Sequence, residues 1–574
     1  MAKGFLQLLV ITLGSKFLAA NLPRSYNLFL IMATFHILNF GCRASQADGA
    51  ALKQQLLQSG LQEASGVEDS TVAILNTCTV TASADAEVRQ FVRRIHRRNP
   101  QCKILVTGCY AQRAPQEIAN LEGVAWVVGN SHKHLVSAIL AGSGEQIIGS
   151  SGHRAIGSLE SDHRLIGSAD EKPEIDRVGD ASHREINAPL VQINPDGGNN
   201  NHKQISGEPA LADLQSLNAP MTQSPNDAMT QWPNGPMVKW PDDPIRVASH
   251  QSLILVGEIT EEFHFAPVFA DDRTRPTLKI QDGCDARCSF CIIPTVRGQS
   301  RSLAPRTVLD QVKQLVDSGY REIVLSGINL GGYGRDLDRS INFLGIVERI
   351  LRETSIARIR ISSIELMDVS PALVRLVATE PRMAQHFHIP LQSGCDRILR
   401  LMNRRYWTRH YAERMFDIHE QIPNAALGAD VMVGFPGETD QDHAESLGFI
   451  ESIPFTYLHI FPYSARPGTP ASTASGQVNG RIAHERSQEI RAVIDSKREA
   501  FLGKQIGKIV PAMTLDEIKE GARIALTTNY LKVTLPGGEV PPNRLINAAI
   551  ERVTDGQLFG YAEEAPAVLA GLPD

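Results

Sequence analysis

From Met32 onward the chain alternates strand-like and helix-like runs, and this alternation restricts the fold more than any other feature. "TFHILNF", "TVAILNT", "KILVTG" and "VAWVVGN" read as strands, with helical patterns at 46–59, 82–98 and 115–120 between them. Strands joined by helical crossovers lie parallel, so this region predicts a doubly wound sheet. A second succession begins near Pro276, with "TLKI", "EIVLSG", "RIRISS", "HFHIPL", "LGADVMVG" and "TYLHIF" as strands. Helical stretches at 311–318, 343–352, 371–378, 409–419 and 440–452 separate them. Six βα units predict a partial (β/α)6 barrel, short of the usual eight. A long charged helix over 481–501 follows, and beyond Gln505 short strands with Gly/Pro turns, including "RIALTTNYLKVTL", predict a small all-β barrel.

The expected class is therefore α/β with an all-β end. The expected divisions are a leader or mis-assigned start over 1–31, a sheet domain over 32–140, a disordered insert over 141–250, a barrel over 270–503 and a β-barrel over 504–565. The apolar runs at 5–13 and 28–32 fall short of the roughly 18–20 residues of a membrane span. No membrane partner is expected, and a cytoplasmic location suits the reduced thiols argued below. The insert is rich in Gly, Ser, Asn, Pro and Asp and repeats "HRAIGS" as "HRLIGS"; such composition buries too little apolar surface to offset ordering entropy. It is expected to loop out and to carry no site residue. A net charge of −6 provides no global basic field, so any nucleic-acid partner must be held by local patches.

Eight cysteines in 574 residues are too sparse for a disulfide scaffold, yet three of them fall within "CDARCSFC". Cys284, Cys288 and Cys291 follow the first barrel strand, at the end where barrel active sites are built. Soft thiolates select zinc, copper(I) or iron–sulfur, and structural zinc takes four ligands where this loop supplies three. A [4Fe–4S] cluster on three cysteines leaves one iron open. Cys42, Cys78 and Cys109 each follow a strand of the first sheet, one βα unit apart. Parallel strands bring all three to one edge, the edge where doubly wound folds bind ligands, so a second three-cysteine site is expected there. Cys102 and Cys395 are assigned to neither site.

The cysteine loop resembles that of radical S-adenosylmethionine (SAM) enzymes. The whole arrangement resembles the methylthiotransferases: a three-cysteine domain, a radical SAM barrel and a TRAM-type RNA-binding barrel. "NTCTVTASAD", "TGCYAQR", "GCDARCSFCIIPTVRGQSRS", "SGINLGGYG" and "LQSGCDRILRLMNRRY" are most similar to the tRNA branch acting on N6-threonylcarbamoyladenosine. The resemblance covers about 34–140 and 270–563. It implies two [4Fe–4S] clusters and SAM as cofactors, with SAM completing the coordination of the open iron. It also implies tRNA as partner, an electron donor such as flavodoxin or ferredoxin, and methylthio transfer to C2 of the adenine. Action on isopentenyladenosine or on a ribosomal protein is the sister alternative; a non-catalytic iron–sulfur RNA-binding protein is the alternative of another class.

Carried over position by position, Gly327 and Asn329 face the methionine end of SAM, and Ser363 and Glu365 its ribose. Gln392, Asp430 and Gly434 end later strands on the same rim. No acid or base beyond the cluster ligands is assigned. For RNA, Arg89, Arg93 and Arg97 recur every four residues on one helix face, with Arg94 and Arg98 beside them, and Tyr530 and Lys532 lie in the TRAM-like "TTNYLKV".

Overall fold

The computed structural model describes residues 34–140, 252–259, 274–338, 340–537 and 540–563. The leader and insert expectations fall outside these residues.

Six strands form the first sheet: β1 (Thr34–Asn39), β2 (Gln62–Glu63), β3 (Val72–Thr77), β4 (Lys103–Gly108), β5 (Val124–Gly129) and β6 (Leu253–Leu255). Their order is β2-β1-β3-β4-β5-β6, and every pairing is parallel. The central β3 is buried along its whole length, which is why "VAILNT" reads as a continuous run rather than an alternation. The helix Ala82–Arg98 starts at a Thr81 cap whose hydroxyl accepts from the Ala84 N–H, and it lays Val88, Val92 and Ile95 on the sheet. Two corrections matter for the site. The first helix runs Arg43–Gln58, so Cys42 is its N-cap rather than a loop residue. A strand precedes the succession expected near Pro276: β6 pairs with β5 from beyond the insert. Three residues of "LIL" carry too little periodicity to be read as a strand in advance.

The second body is built on β7 (Thr277–Lys279), β8 (Gln281–Asp282), β9 (Arg301–Ser302), β10 (Glu322–Ser326), β11 (Arg358–Ile361), β12 (His386–His388), β13 (Ala426–Val433) and β14 (Tyr457–Pro462). β7, β10 and β11 form one parallel sheet and β12, β13 and β14 another. Isolated parallel bridges Ile359–Met383 and Ser363–His388 join the two into one six-stranded arc. β8 and β9 pair antiparallel across the cysteine loop. Alternate residues point to opposite faces of a strand. Ile323, Leu325, Ile359, Ile361, Phe387, Ile389, Leu427 and Ala429 pack in the main core. The intervening Glu322, Arg358, Arg360, His386, His388 and Asp430 therefore face the lumen, which is polar. Each fully buried aliphatic on the outer face contributes about 1.5–3 kcal/mol, and that packing carries a lumen lined for chemistry.

After the helix Gly480–Gly503 come β15 (Ile509–Lys519), β16 (Ala522–Thr527), β17 (Lys532–Leu535), β18 (Leu545–Thr554) and β19 (Gln557–Glu563). They close in the order β15-β16-β17-β19-β18. "RIALTTNYLKVTL" is thus two strands, broken at a turn where Tyr530 adopts φ +65°. This turn wedges into the larger barrel: Arg360 donates to the carbonyls of Thr528 and Thr527, both at 3.0 Å, and Asn529 donates to the Asn424 carbonyl at 3.1 Å.

Candidate active site

The helix Ile293–Arg297 links the two cysteine triads: Cys291 lies two residues before it, and Cys109 packs on its Val296 and meets its Arg297. The first, Cys284, Cys288 and Cys291, occupies the loop between β8 and this helix. The Ala286 N–H donates to Cys284 Sγ at 3.4 Å, and Arg404 donates to Cys288 Sγ at 3.3 Å. Burial pushes the Cys291 thiol up to about 12, helped by Cys288 and Cys284, and raises Cys284 as well. Thiols this reluctant to ionise become ligands only when a bound metal centre supplies the compensating charge. A cavity of about 300 Å³ opens beside them, lined among others by Cys288, Asn329, Asp368, Glu365, Arg404 and Tyr406. Arg404 is ion-paired to Glu365. The Asn329 N–H is held by Gln281 Oε1 at 2.7 Å, while Asn329 Oδ1 is buried without a partner, as is Gln392 Oε1. Two orphaned acceptors on one rim fit a ligand that brings donors, as the amino groups of SAM would.

The second triad stands at the C-terminal ends of β1, β3 and β4, as the sequence predicts. Close approach is made possible by glycine: Gly41 has φ +97°, and a Cβ there would lie 2.3 Å from Cys78 Cβ. Gly108, before Cys109, has φ +100°, and a Cβ there would lie 2.4 Å from the Thr77 carbonyl. Burial, then Cys109 and Cys42, push the Cys78 thiol up to about 12. Cys109 Sγ accepts from Arg297 Nε at 3.2 Å and from Asn130 at 3.4 Å. As the N-cap of its helix, Cys42 also sits at the positive end of a macrodipole, which favours an anionic cluster. Among the described residues, the group whose ligand atoms close to within 4.8 Å of one another is His388, Asp430 and His459, not either cysteine triad.

A buried ionic lattice joins the triads and was not legible in the sequence. Asp48 meets Lys133 at 3.2 Å, Arg297 at 3.0 Å and Lys279; Asp282 meets Lys279 at 2.8 Å and Arg297 at 3.0 Å. Burial alone would raise the Asp48 carboxyl, but Lys133, Lys279 and Arg297 outweigh it and hold it well below the usual carboxylate range. The available signal was a charged residue inside the "TLKI" strand, which needs a partner if the strand is buried.

Other expectations divide. Asn329 and Glu365 line the cavity, with Gly327 packed on Gln281 behind Asn329. Ser363 is exposed and pairs with His388 through the backbone. Asp430 is not a rim residue: it lies within β13 and its carboxylate faces the lumen, held by His388 and His459 at 3.2 Å each. At Gly434, with φ +71°, a Cβ would lie 2.7 Å from Ala483 Cβ, so the glycine serves the packing of the long helix. Arg89 is tied to Tyr110 and Glu117 at 2.8 Å, whereas Arg93 and Arg97 are exposed along a groove with Arg94 and His96. Lys532 is exposed and pairs with Glu517. Tyr530 is not presented to RNA as a stacking surface. Its ring lies 4.4 Å from that of His386 and its hydroxyl accepts from Arg43 at 2.9 Å, because the turn that carries it docks inward.

A partial parallel barrel with a Cys-x₃-Cys-x₂-Cys loop at its rim defines a radical SAM enzyme, and residues 278–450 match the profile described as "Radical SAM superfamily". Residues 34–129 match the one described as "Uncharacterized protein family UPF0004". The chain is 30% identical to the threonylcarbamoyladenosine tRNA methylthiotransferase MtaB of Bacillus subtilis (strain 168), over 93% of this chain and 98% of that one. It is likewise 30% identical to the protein of that name from Aquifex aeolicus, over 87% and 95%. It is 28% identical to the tRNA-2-methylthio-N(6)-dimethylallyladenosine synthase of Moorella thermoacetica, over 92% and 98%. The chain belongs to the radical SAM methylthiotransferase family, MtaB type. Its cofactors are SAM and [4Fe–4S] clusters. Among the described residues no helix is long and apolar enough to cross a membrane.

Proposed function

We propose that this enzyme places a methylthio group on C2 of N6-threonylcarbamoyladenosine beside the anticodon of tRNA. The observation that carries the reading is that one five-residue helix connects two thiol triads: Cys291 lies two residues before it, and its last residue, Arg297, touches Cys109. Cys284, Cys288 and Cys291 would hold the cluster that binds SAM; Cys42, Cys78 and Cys109 would hold the second. SAM bound there supplies radical chemistry after one-electron reduction and, separately, a methyl group.

The chain's own residues bind, orient and exclude water. Asn329 and Gln392 offer free acceptor oxygens, and Glu365, fixed by Arg404, accepts from sugar hydroxyls. Arg297 and Asn130 orient Cys109, and the Asp48 lattice fixes the separation of the two triads. The C-terminal barrel, read as TRAM-like, and the Arg93–Arg97 groove supply sequence-independent contact with RNA phosphates. The electron donor is read as a flavodoxin or ferredoxin.

Anaerobic reconstitution and nucleoside mass spectrometry test this. The expected result is about eight iron per chain from two four-iron clusters, and methylthio-threonylcarbamoyladenosine restored in tRNA of cells regaining the gene. About four iron, or zinc in their place, overturns the reading.

A further inference from the structure

Arg43 follows Cys42 directly, yet its side chain enters the barrel lumen. Its guanidinium donates to Tyr530 Oη at 2.9 Å and lies 5.9 Å from the centre of that ring. Tyr530 in turn packs on His386 and on Tyr457, the latter at 5.8 Å. Among the described residues no carboxylate lies within 4 Å of Arg43, and its guanidinium donates to a neutral phenol. The surroundings deepen the imbalance. Glu322 is shared by Arg275 at 3.4 Å, Arg358 at 3.5 Å and Arg360 at 2.9 Å, so four guanidiniums in this part of the lumen have one carboxylate between them. A further lumen carboxylate, Asp430, is held by His388 and His459.

Arg43 is part-buried, and a partly desolvated cation without a counter-charge attracts an incoming anion. A guanidinium with most of its fork free matches a carboxylate in bidentate fashion. The threonylcarbamoyl group carries a carboxylate at the end of its ureido arm; an isopentenyl group carries nothing a cation can bind. We propose that Arg43 is a specificity-determining residue that binds the carboxylate of the threonylcarbamoyl substituent within the barrel lumen, one residue from the second cysteine triad. This rests on the function proposed above.

The experiment compares reconstituted wild type, Arg43→Gln and Arg43→Lys on anticodon stem-loops. One stem-loop carries threonylcarbamoyladenosine, one its methyl ester and one isopentenyladenosine. Wild type is expected to favour the free carboxylate over the ester by at least about 100-fold in kcat/KM, because a site built to bind a polar group leaves that site unpaired when the group is missing. In Arg43→Gln this preference should collapse to within a few-fold, through KM, at an iron content equal to wild type; Arg43→Lys should recover part of it. Full preference in Arg43→Gln overturns the inference, as does loss of iron in both variants, which would make Arg43 structural. Wild type that modifies threonylcarbamoyladenosine and its ester equally overturns the inference alone. Wild type that modifies only another adenosine overturns the functional reading with it.

Discussion

Asp48 illustrates how much a single side chain can hold. It faces Lys133, Lys279 and Arg297 in a buried setting, so Asp48→Asn takes a carboxylate from all three, while Lys279 and Arg297 still meet Asp282. Breaking a buried pair by removing one partner costs about 3–5 kcal/mol, which urea unfolding of the reconstituted enzyme should register. The same carboxylate gives acid sensitivity a direction. Its native pKa is depressed, so its contribution is complete above the unfolded carboxylate value near 4 and is lost as pH falls towards the native one. The acid limb of the stability profile should flatten in Asp48→Asn. None of this was visible in the sequence, although the six cysteines were. Thiols are rare and soft, and their spacing declares a purpose. Asp48, Lys133 and Arg297 are ordinary charged residues from distant parts of the chain, and only folding shows that they are buried together.

Among elements, the βα turns of the first sheet bear the strictest demands. Gly41→Ala would force a Cβ to 2.3 Å from Cys78 Cβ at a φ of +97°. Its expected effect is loss of the second cluster alone: iron falling from about eight to about four per chain, with SAM still binding. The lumen strands make a different prediction. Burial, then Arg360, His388 and Arg43, hold the His386 imidazole well below its ordinary value. The unfolded chain therefore takes up a proton below pH about 6.5 that the native one refuses, and stability declines as pH drops below that point. His386→Gln should remove this slope between pH 7.5 and 5.5 in thermal melts. Elements with a strong period and a cap were legible: Ala82–Arg98 and Asp440–Ser452 match their expected bounds, each opened by a threonine cap. "HFH" and "YLH" were read as strands, but their alternating polar residues were not recognised as a lumen lining. Period two says that a face is polar without saying whether it faces solvent or the inside of a barrel.

For the whole molecule, the wedge at Thr528–Tyr530 makes the C-terminal barrel part of the catalytic body rather than a tethered accessory. Tyr530→Ala should raise amide exchange across 505–563 and along β12 together, whereas an independent RNA-binding module would leave β12 unchanged. Turn chemistry and a broken strand were hidden in "RIALTTNYLKVTL" because Tyr530 takes a left-handed conformation that its residue type does not advertise. β6 has the most practical consequence. It returns to the margin of β5 after more than a hundred intervening residues, so the backbone on either side of that interval is stitched to the same platform. A nick introduced there should yield two pieces that elute together with their iron, and the gene should tolerate division at that point into two separately translated halves.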